Sequence, residues 1–263
     1  ISAYLQYLSD NSPTAPEDAS WQQMRDFIFW VQNTRNLSDR TINACISQLR
    51  FFTLYVLHKP WDPYQLPFRK FDSYTPFIPS REEMKTFLFS ISDIKFKAIL
   101  CLMFSSGLRV DEVRHLKCSD IEHSRKRIHI RASKNRSDRY VPLSDNVWEL
   151  ILRYWYSFPA GSRPKDWLFP QKTKPDRPID HQRIPSFILA HEKELGWEHR
   201  FTCHTFRHAF ATYHYEDETD LLTLKALMGH RSVSSTVIYV HLASNALMAS
   251  SNPFDRMAGG FYE

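Results

Sequence analysis

Arg127-Ile128-His129-Ile130-Arg131 alternates polar and apolar residues, and Tyr140-Val141-Pro142-Leu143 follows as a second short β-prone run. Alternation of period two reads as a half-buried strand, and two such runs this close predict an antiparallel hairpin with its turn in residues 132–139. Around the hairpin the apolar residues repeat at helical spacing. Upstream, Ser80-Arg81-Glu82-Glu83 is a capping box ahead of inward Met84, Phe87 and Leu88. A helix over residues 95–105 stops at Gly107, and a short one covers residues 110–116. Downstream, residues 146–156, 182–195, 204–215, 221–227 and 234–241 read as further helices. The expected class is therefore mainly α with one small antiparallel sheet.

The first seventy residues carry no strand signal. Trp21, Met24, Phe27, Ile28 and Val31 mark one helix, and Leu37-Ser38-Asp39 caps a second that carries Ile42, Cys45, Ile46, Leu49, Phe52 and Val56. Residues 1–8 read as the remnant of an earlier helix. Pro60, Pro63, Pro67, Pro76 and Pro79 forbid one regular element between residues 60 and 79, which reads as a domain end and a linker. Two domains are expected, a helical one over residues 1–74 and a mixed one over residues 79–263. The chain opens at Ile1 rather than Met, so the first domain is expected to be truncated.

A chain of 263 residues with 43% hydrophobic and 24% charged residues has an ordinary globular composition and enough length to bury a core without staples. No apolar run approaches the ~18–20 residues that cross a bilayer, and no secretory signal follows Ile1. Cys45, Cys101, Cys118 and Cys203 form no Cys-x-x-Cys pair, which argues against a zinc ribbon and for a reducing, cytoplasmic setting; Cys45 and Cys101 read as buried thiols. The net charge of +5 favours an anionic partner. Its distribution is uneven. Residues 1–72 hold seven Lys/Arg against seven Asp/Glu, whereas residues 109–139 hold ten against five.

Several polar residues invite a chemical reading, and each alone also has an ordinary structural one. Arg109 stands just past Gly107 at a helix start, where its fork would meet phosphate oxygens, with Glu112 one turn on to clamp it. In isolation that pair is a surface salt bridge. Lys134 sits at the hairpin tip, either solubilising a turn or reaching into a groove as a proton donor. In His204-Thr205-Phe206-Arg207-His208, His204 and Arg207 share a helix face suited to a scissile phosphate. His204 and His208 also have the i,i+4 spacing of a metal pair, but no carboxylate or cysteine cluster completes a site, so no metal is expected. His230 ends a helix in Met228-Gly229-His230. Tyr239, nine residues on, is either a core tyrosine or a nucleophile that needs a neighbour to accept its proton.

Taken together and in order, Arg109, Lys134, His204-x-x-Arg207, His230 and Tyr239 resemble the active-site signature of the tyrosine recombinases, the phage integrase family. Ser106-Gly107-Leu108-Arg109 with Glu112, Val141-Pro142-Leu143 and Leu227-Met228-Gly229-His230 match its surrounding text. The flanks of Lys134, Ser133 and Asn135, depart from the glycines frequent there, and Met228 stands where Leu is common. The resemblance implies a helical core-binding domain and a catalytic domain that clamp double-stranded DNA. It implies that Tyr239 attacks a phosphodiester to form a 3′-phosphotyrosyl link, with Arg109 and Arg207 on the non-bridging oxygens. Lys134 would protonate the leaving 5′-oxygen, His204 would help accept the tyrosine proton, and His230 would hydrogen-bond the phosphate. No cofactor, metal or ATP is implied, and the working form would be a homotetramer on two DNA sites. In such a tetramer Leu247, Met248 or Phe254 of the tail would dock on a neighbouring protomer. Arg40, Arg50, Arg131, Arg136 and Arg139 are the expected phosphate contacts. A type IB topoisomerase-like enzyme and a catalytically idle DNA-binding protein of the same fold are the alternatives.

Overall fold

The computed structural model describes residues 1–12, 14–71, 75–131, 138–198 and 200–243. The chain divides into two compact units, Ile1–Tyr74 and Thr75–Glu263.

The first unit packs three helices, α1 (Ser2–Asn11), α2 (Trp21–Arg35) and α3 (Asp39–Phe51). Ser20 and Gln23 close a capping box at the start of α2, and the Ser38 hydroxyl accepts the Thr41 N–H at the start of α3. The apolar stripes then meet: Tyr4 and Leu8, Met24, Phe27, Ile28 and Val31, and Ile42, Ile46 and Leu49 form one core. Val56, expected on the same stripe, is instead 54% exposed. The cause is a wider π turn over Phe52–Val56, closed by the Leu57 N–H on the Phe52 carbonyl, which rotates the chain out of register. The proline-rich stretch is only partly a linker. Leu66 is buried in the helical core, Trp61 packs edge-on to Trp21, and the Asn43 amide exchanges two hydrogen bonds with the Arg69 backbone.

The second unit contains the sheet. Strands β1 (Ile121–Glu122), β2 (Arg127–Ile130) and β3 (Arg139–Pro142) pair antiparallel in that order, with Ile128 opposite Val141 and Ile130 opposite Arg139. Ile128, Ile130 and Val141 point into the core, while His129 and Tyr140 stack on the other face, as period two requires. The two-residue β1 adds a third strand to the expected hairpin. The hairpin turn itself lies outside the described residues.

Around the sheet stand α4 (Arg81–Ser90), α5 (Ile94–Ser106), α6 (Val110–Arg114), α7 (Asp145–Tyr156), α8 (Arg183–Glu194), α9 (Cys203–Glu216), α10 (Leu221–Met228) and α11 (Ser234–Leu242). Asp93 caps α5, and Gly107 ends it in the left-handed region at φ +61°. A Cβ on Gly107 would come within 2.5 Å of the Phe210 ring, so α5 and α9 meet there at a distance only glycine permits. Helix α9 is buried over most of its circumference, with Ala209 and Ala211 admitting close neighbours. The Ser106 hydroxyl donates to the Pro142 carbonyl at 2.8 Å and ties the end of α5 to β3. Two of the thiols expected to be buried, Cys45 and Cys101, are half-buried on partly covered helix faces, and all four cysteines are free. Among the described residues no helix is long and apolar enough to cross a membrane.

Candidate active site

Four chain segments converge beside α9. The Gly107 turn delivers Arg109 to the start of α6, β3 delivers Arg139, α9 carries His204, Arg207 and His208, and α10 ends at Gly229 just before His230. Helix α11 then brings Tyr239.

Glu112 is the hub. Its side chain is 6% exposed and accepts from the Arg109 backbone N–H and guanidinium, each at 2.8 Å. Arg139 grips the same carboxylate with two parallel bonds of 2.8 Å, and Arg207 approaches to 4.0 Å. Burial alone would raise the Glu112 pKa, but the hydrogen bonds and charge of Arg139 and Arg109 outweigh it and pull the group down to about 2. Three guanidiniums around one carboxylate leave a charge of +2 in the cluster. Such a cluster favours an incoming anion.

Arg207 is 4% exposed and donates to the carbonyls of Gly107 and Met228, so the ends of α5 and α10 aim its fork. Burial and the charges of Arg109 and Arg139, offset by Glu112, lower its pKa to about 9, which still leaves it charged at neutral pH. Its second nitrogen also lies 3.2 Å from Nε2 of His230, whose Nδ1 lies 3.0 Å from the Thr236 hydroxyl. An arginine only donates, so Nε2 accepts and Nδ1 carries the ring proton in this arrangement. Burial and the neighbouring arginines hold His230 at about 4, hence neutral at pH 7. The Thr236 hydroxyl can turn and donate to Nδ1, which frees Nε2 to carry the proton toward an anion.

Tyr239 is 2% exposed, its ring parallel to that of His230 at 6.3 Å. Burial raises its pKa while Arg207 and Arg109 draw it back. Its hydroxyl lies 3.1 Å from Nδ1 of His208. His208 lies one helical turn beyond His204 on α9. His204 is exposed and lines a cleft of about 770 Å³ together with Arg109, Lys117, Asp120 and Arg131. Its pKa is lowered by partial burial and by Arg207 and Arg109. A second cleft of about 420 Å³, lined by Arg139, Lys225, His230 and Arg231, opens beside the cluster.

The outer arginines behave unequally. Arg40 and Arg50 are exposed on α3. Arg131 is about half exposed and paired with Asp120 at 2.6 Å. Arg139 does not belong with them: it is 11% exposed and locked on Glu112 and the Leu227 carbonyl. Its β3 position opposite inward Ile130 and two residues before inward Val141 turns it toward the core. Lys134, Arg136 and the tail residues Leu247, Met248 and Phe254 lie outside the described residues. Among the described residues no group of three or more His, Cys, Asp or Glu side chains is placed to hold a metal.

The sequence profile of the phage integrase family matches residues 81–246, the whole of this constellation. The chain belongs to that family. Integrase-family relatives span nearly all of it. A putative integrase/recombinase of Sinorhizobium fredii, y4qK, is 33% identical over 92% of this chain and 77% of its own length. The tyrosine recombinase XerC of Bacillus pumilus is 26% identical over 94% of this chain and 85% of its own. Among solved structures, XerH site-specific recombinase bound to palindromic difH substrate shares the fold with a TM-score of 0.74, at 19% identity and over 99% of this chain and 77% of that one. The Tn1549 transposon integrase in complex with transposon right end DNA shares it with a TM-score of 0.73, at 14% identity and over 98% of this chain and 92% of that one.

Proposed function

We propose that this integrase-family chain is a site-specific DNA recombinase in which Tyr239 attacks a scissile phosphodiester and holds the cut strand as a 3′-phosphotyrosyl link. The observation that carries this reading is the Arg109–Glu112–Arg139–Arg207 cluster, with its excess positive charge, which Arg207 joins to His230, together with the Tyr239–His208 contact. Arg207 and Arg109 meet the non-bridging oxygens, where negative charge grows in the transition state. Carbonyl and carboxylate partners already aim both forks, so little reorganisation remains at the moment of reaction. His230 donates Nε2–H to the phosphate once Thr236 donates to Nδ1. Lys134 protonates the departing 5′-oxygen. The link preserves the energy of the phosphodiester, so rejoining by a free 5′-hydroxyl draws on no cofactor, metal or ATP.

Exchange of strands needs two duplexes, so the working form is a homotetramer on two double-stranded sites in the cytoplasm. Exposed Arg40 and Arg50, with Arg131 and with Arg136 from outside the described residues, supply phosphate contacts. The test is a nicked suicide duplex carrying DNA from the flanks of the gene. Wild-type protein should accumulate a covalent adduct, and Tyr239→Phe should bind the duplex yet form none. An undiminished adduct from Tyr239→Phe contradicts the reading. Two-site assays with wild-type protein should give exchanged strands; relaxation of supercoils without exchange would favour a topoisomerase.

A further inference from the structure

We propose that Arg139 is a positioning residue for strand cleavage. It balances the Glu112 carboxylate and braces the turn before His230, which leaves Arg109 and Arg207 aimed and fully charged toward the scissile phosphate. This rests on the reading of the cluster as a phosphate site. The basic run in the sequence suggested only an outer phosphate contact at this position.

The Arg139 fork is engaged along its whole inner edge. Nη1 and Nη2 donate in parallel to the two Glu112 oxygens at 2.8 Å, and Nε donates to the Leu227 carbonyl at 3.0 Å. Each Glu112 oxygen is shared. Oε1 accepts an Nη1–H from both Arg109 and Arg139, and Oε2 accepts the Arg109 backbone N–H and Nη2 of Arg139. Without Arg139 the carboxylate would be left to Arg109 at 2.8 Å and Arg207 at 4.0 Å, and the cluster would fall from +2 to +1. Opposite charges this close, with little water between them, attract strongly. The carboxylate would then draw the Arg109 fork inward and cancel part of the field that a phosphate meets.

The third bond acts on the turn. Gly229 ends α10 in the left-handed region at φ +61°, and a Cβ there would come within 2.9 Å of the Arg139 Cδ. The arginine stem can therefore lie against the turn. Arg139 takes the Leu227 carbonyl, and Arg207 takes the next one, that of Met228. Both are among the carbonyls that a helix leaves unpaired at its C-terminus. Strand β3 and helix α9 thus fix, by successive carbonyls, the turn that delivers His230 to Arg207. A lysine at position 139 could supply the charge but not three bonds in one plane.

The experiment measures initial rates of strand cleavage by the full chain on three suicide duplexes. One carries an ordinary scissile phosphodiester, one a methylphosphonate and one a 5′-bridging phosphorothiolate. The methylphosphonate replaces a non-bridging oxygen by methyl and so removes the charge that the arginines meet. The phosphorothiolate leaves through a sulfur that needs no proton. Arg139→Met should slow cleavage of the phosphodiester about 10–100-fold, as loss of a group that orients a reacting one does. Arg139→Lys keeps the charge without the fork, should lose less, and carries the test if the Met variant misfolds. Circular dichroism and mobility shift report folding and DNA binding. On the methylphosphonate the gap between either variant and wild type should largely close, and on the phosphorothiolate it should persist. A gap of equal size on phosphodiester and methylphosphonate would mark a purely structural role. Closure on the phosphorothiolate would place Arg139 behind the leaving group instead. Either result, or a wild-type rate in Arg139→Met, overturns the proposal. Tyr239→Phe tests the underlying reading separately, since an adduct from that variant would remove the nucleophile whatever the Arg139 variants do.

Discussion

Arg40 and Arg50 stand in solvent on one helix of the first unit, whereas Arg109, Arg139 and Arg207 of the second gather around one buried carboxylate. The side chain is the same and its work is not. An exposed guanidinium interacts through water and salt, and an ion pair made there is worth ~0–1 kcal/mol. In the cluster, where water is scarce, two unit charges 4 Å apart interact by about 4 kcal/mol at an effective dielectric constant of 20. The first environment suits contacts that add affinity without sequence preference. The second suits stabilisation of charge that appears only in a transition state.

That contrast is most easily disrupted at Glu112. Glu112→Gln keeps the volume but leaves the three guanidiniums facing one another without a carboxylate. Urea unfolding should show a loss of about 3–5 kcal/mol, as for one partner removed from a buried pair, and adduct formation should fall with it. A wild-type unfolding midpoint would mean the cluster is not held by Glu112.

The histidines give a smaller, pH-dependent effect. His208 and His230 have folded-state pKa values of about 4, below the ordinary imidazole value of 6.5. The folded form therefore resists protonation. The stability tied to this is intact above pH 6.5 and is lost as pH falls from there toward about 4. The melting temperature should drop across that window, and His208→Asn should flatten the drop. A melting temperature independent of pH from 6.5 to 4 would show that the two rings are not held neutral.

The smallest effect belongs to the exposed arginines. Arg40→Ala should lower the salt slope of DNA binding by about one and change stability by less than about 0.5 kcal/mol. Arg139→Ala should do the reverse, destabilising the chain while leaving the salt slope as it was. Were Arg139→Ala to reduce the slope instead, its inward orientation would be wrong.

Helices with a clear apolar stripe and a cap, α2, α3 and α4 among them, are legible in the sequence because period and punctuation are local. The hairpin strands are legible for the same reason. Strand β1 is not, since two residues carry no period. Val56 departs from its expected stripe because a single wide turn shifts the register without leaving a mark in composition. Arg139 reads as part of a basic outer run, although strand alternation holds the needed signal: with Val141 inward, residue 139 is inward too. The order and spacing of Arg109, Arg207, His230 and Tyr239 locate the site, but not how its parts touch. His208 is the instructive case. Its spacing from His204 is visible, while its contact with Tyr239 depends on the packing of α11 against α9, which sequence separation conceals.

The proposed function turns on a covalent bond between Tyr239 and DNA. The adduct trapped on the suicide duplex should be digested with nuclease and trypsin, and the peptides sequenced by mass spectrometry. The expected product is a nucleotide attached through its 3′-phosphate to Tyr239, in the peptide that begins at Ser232. A nucleotide on any other residue, or attached through a 5′-phosphate, would refute the assignment of Tyr239 as nucleophile.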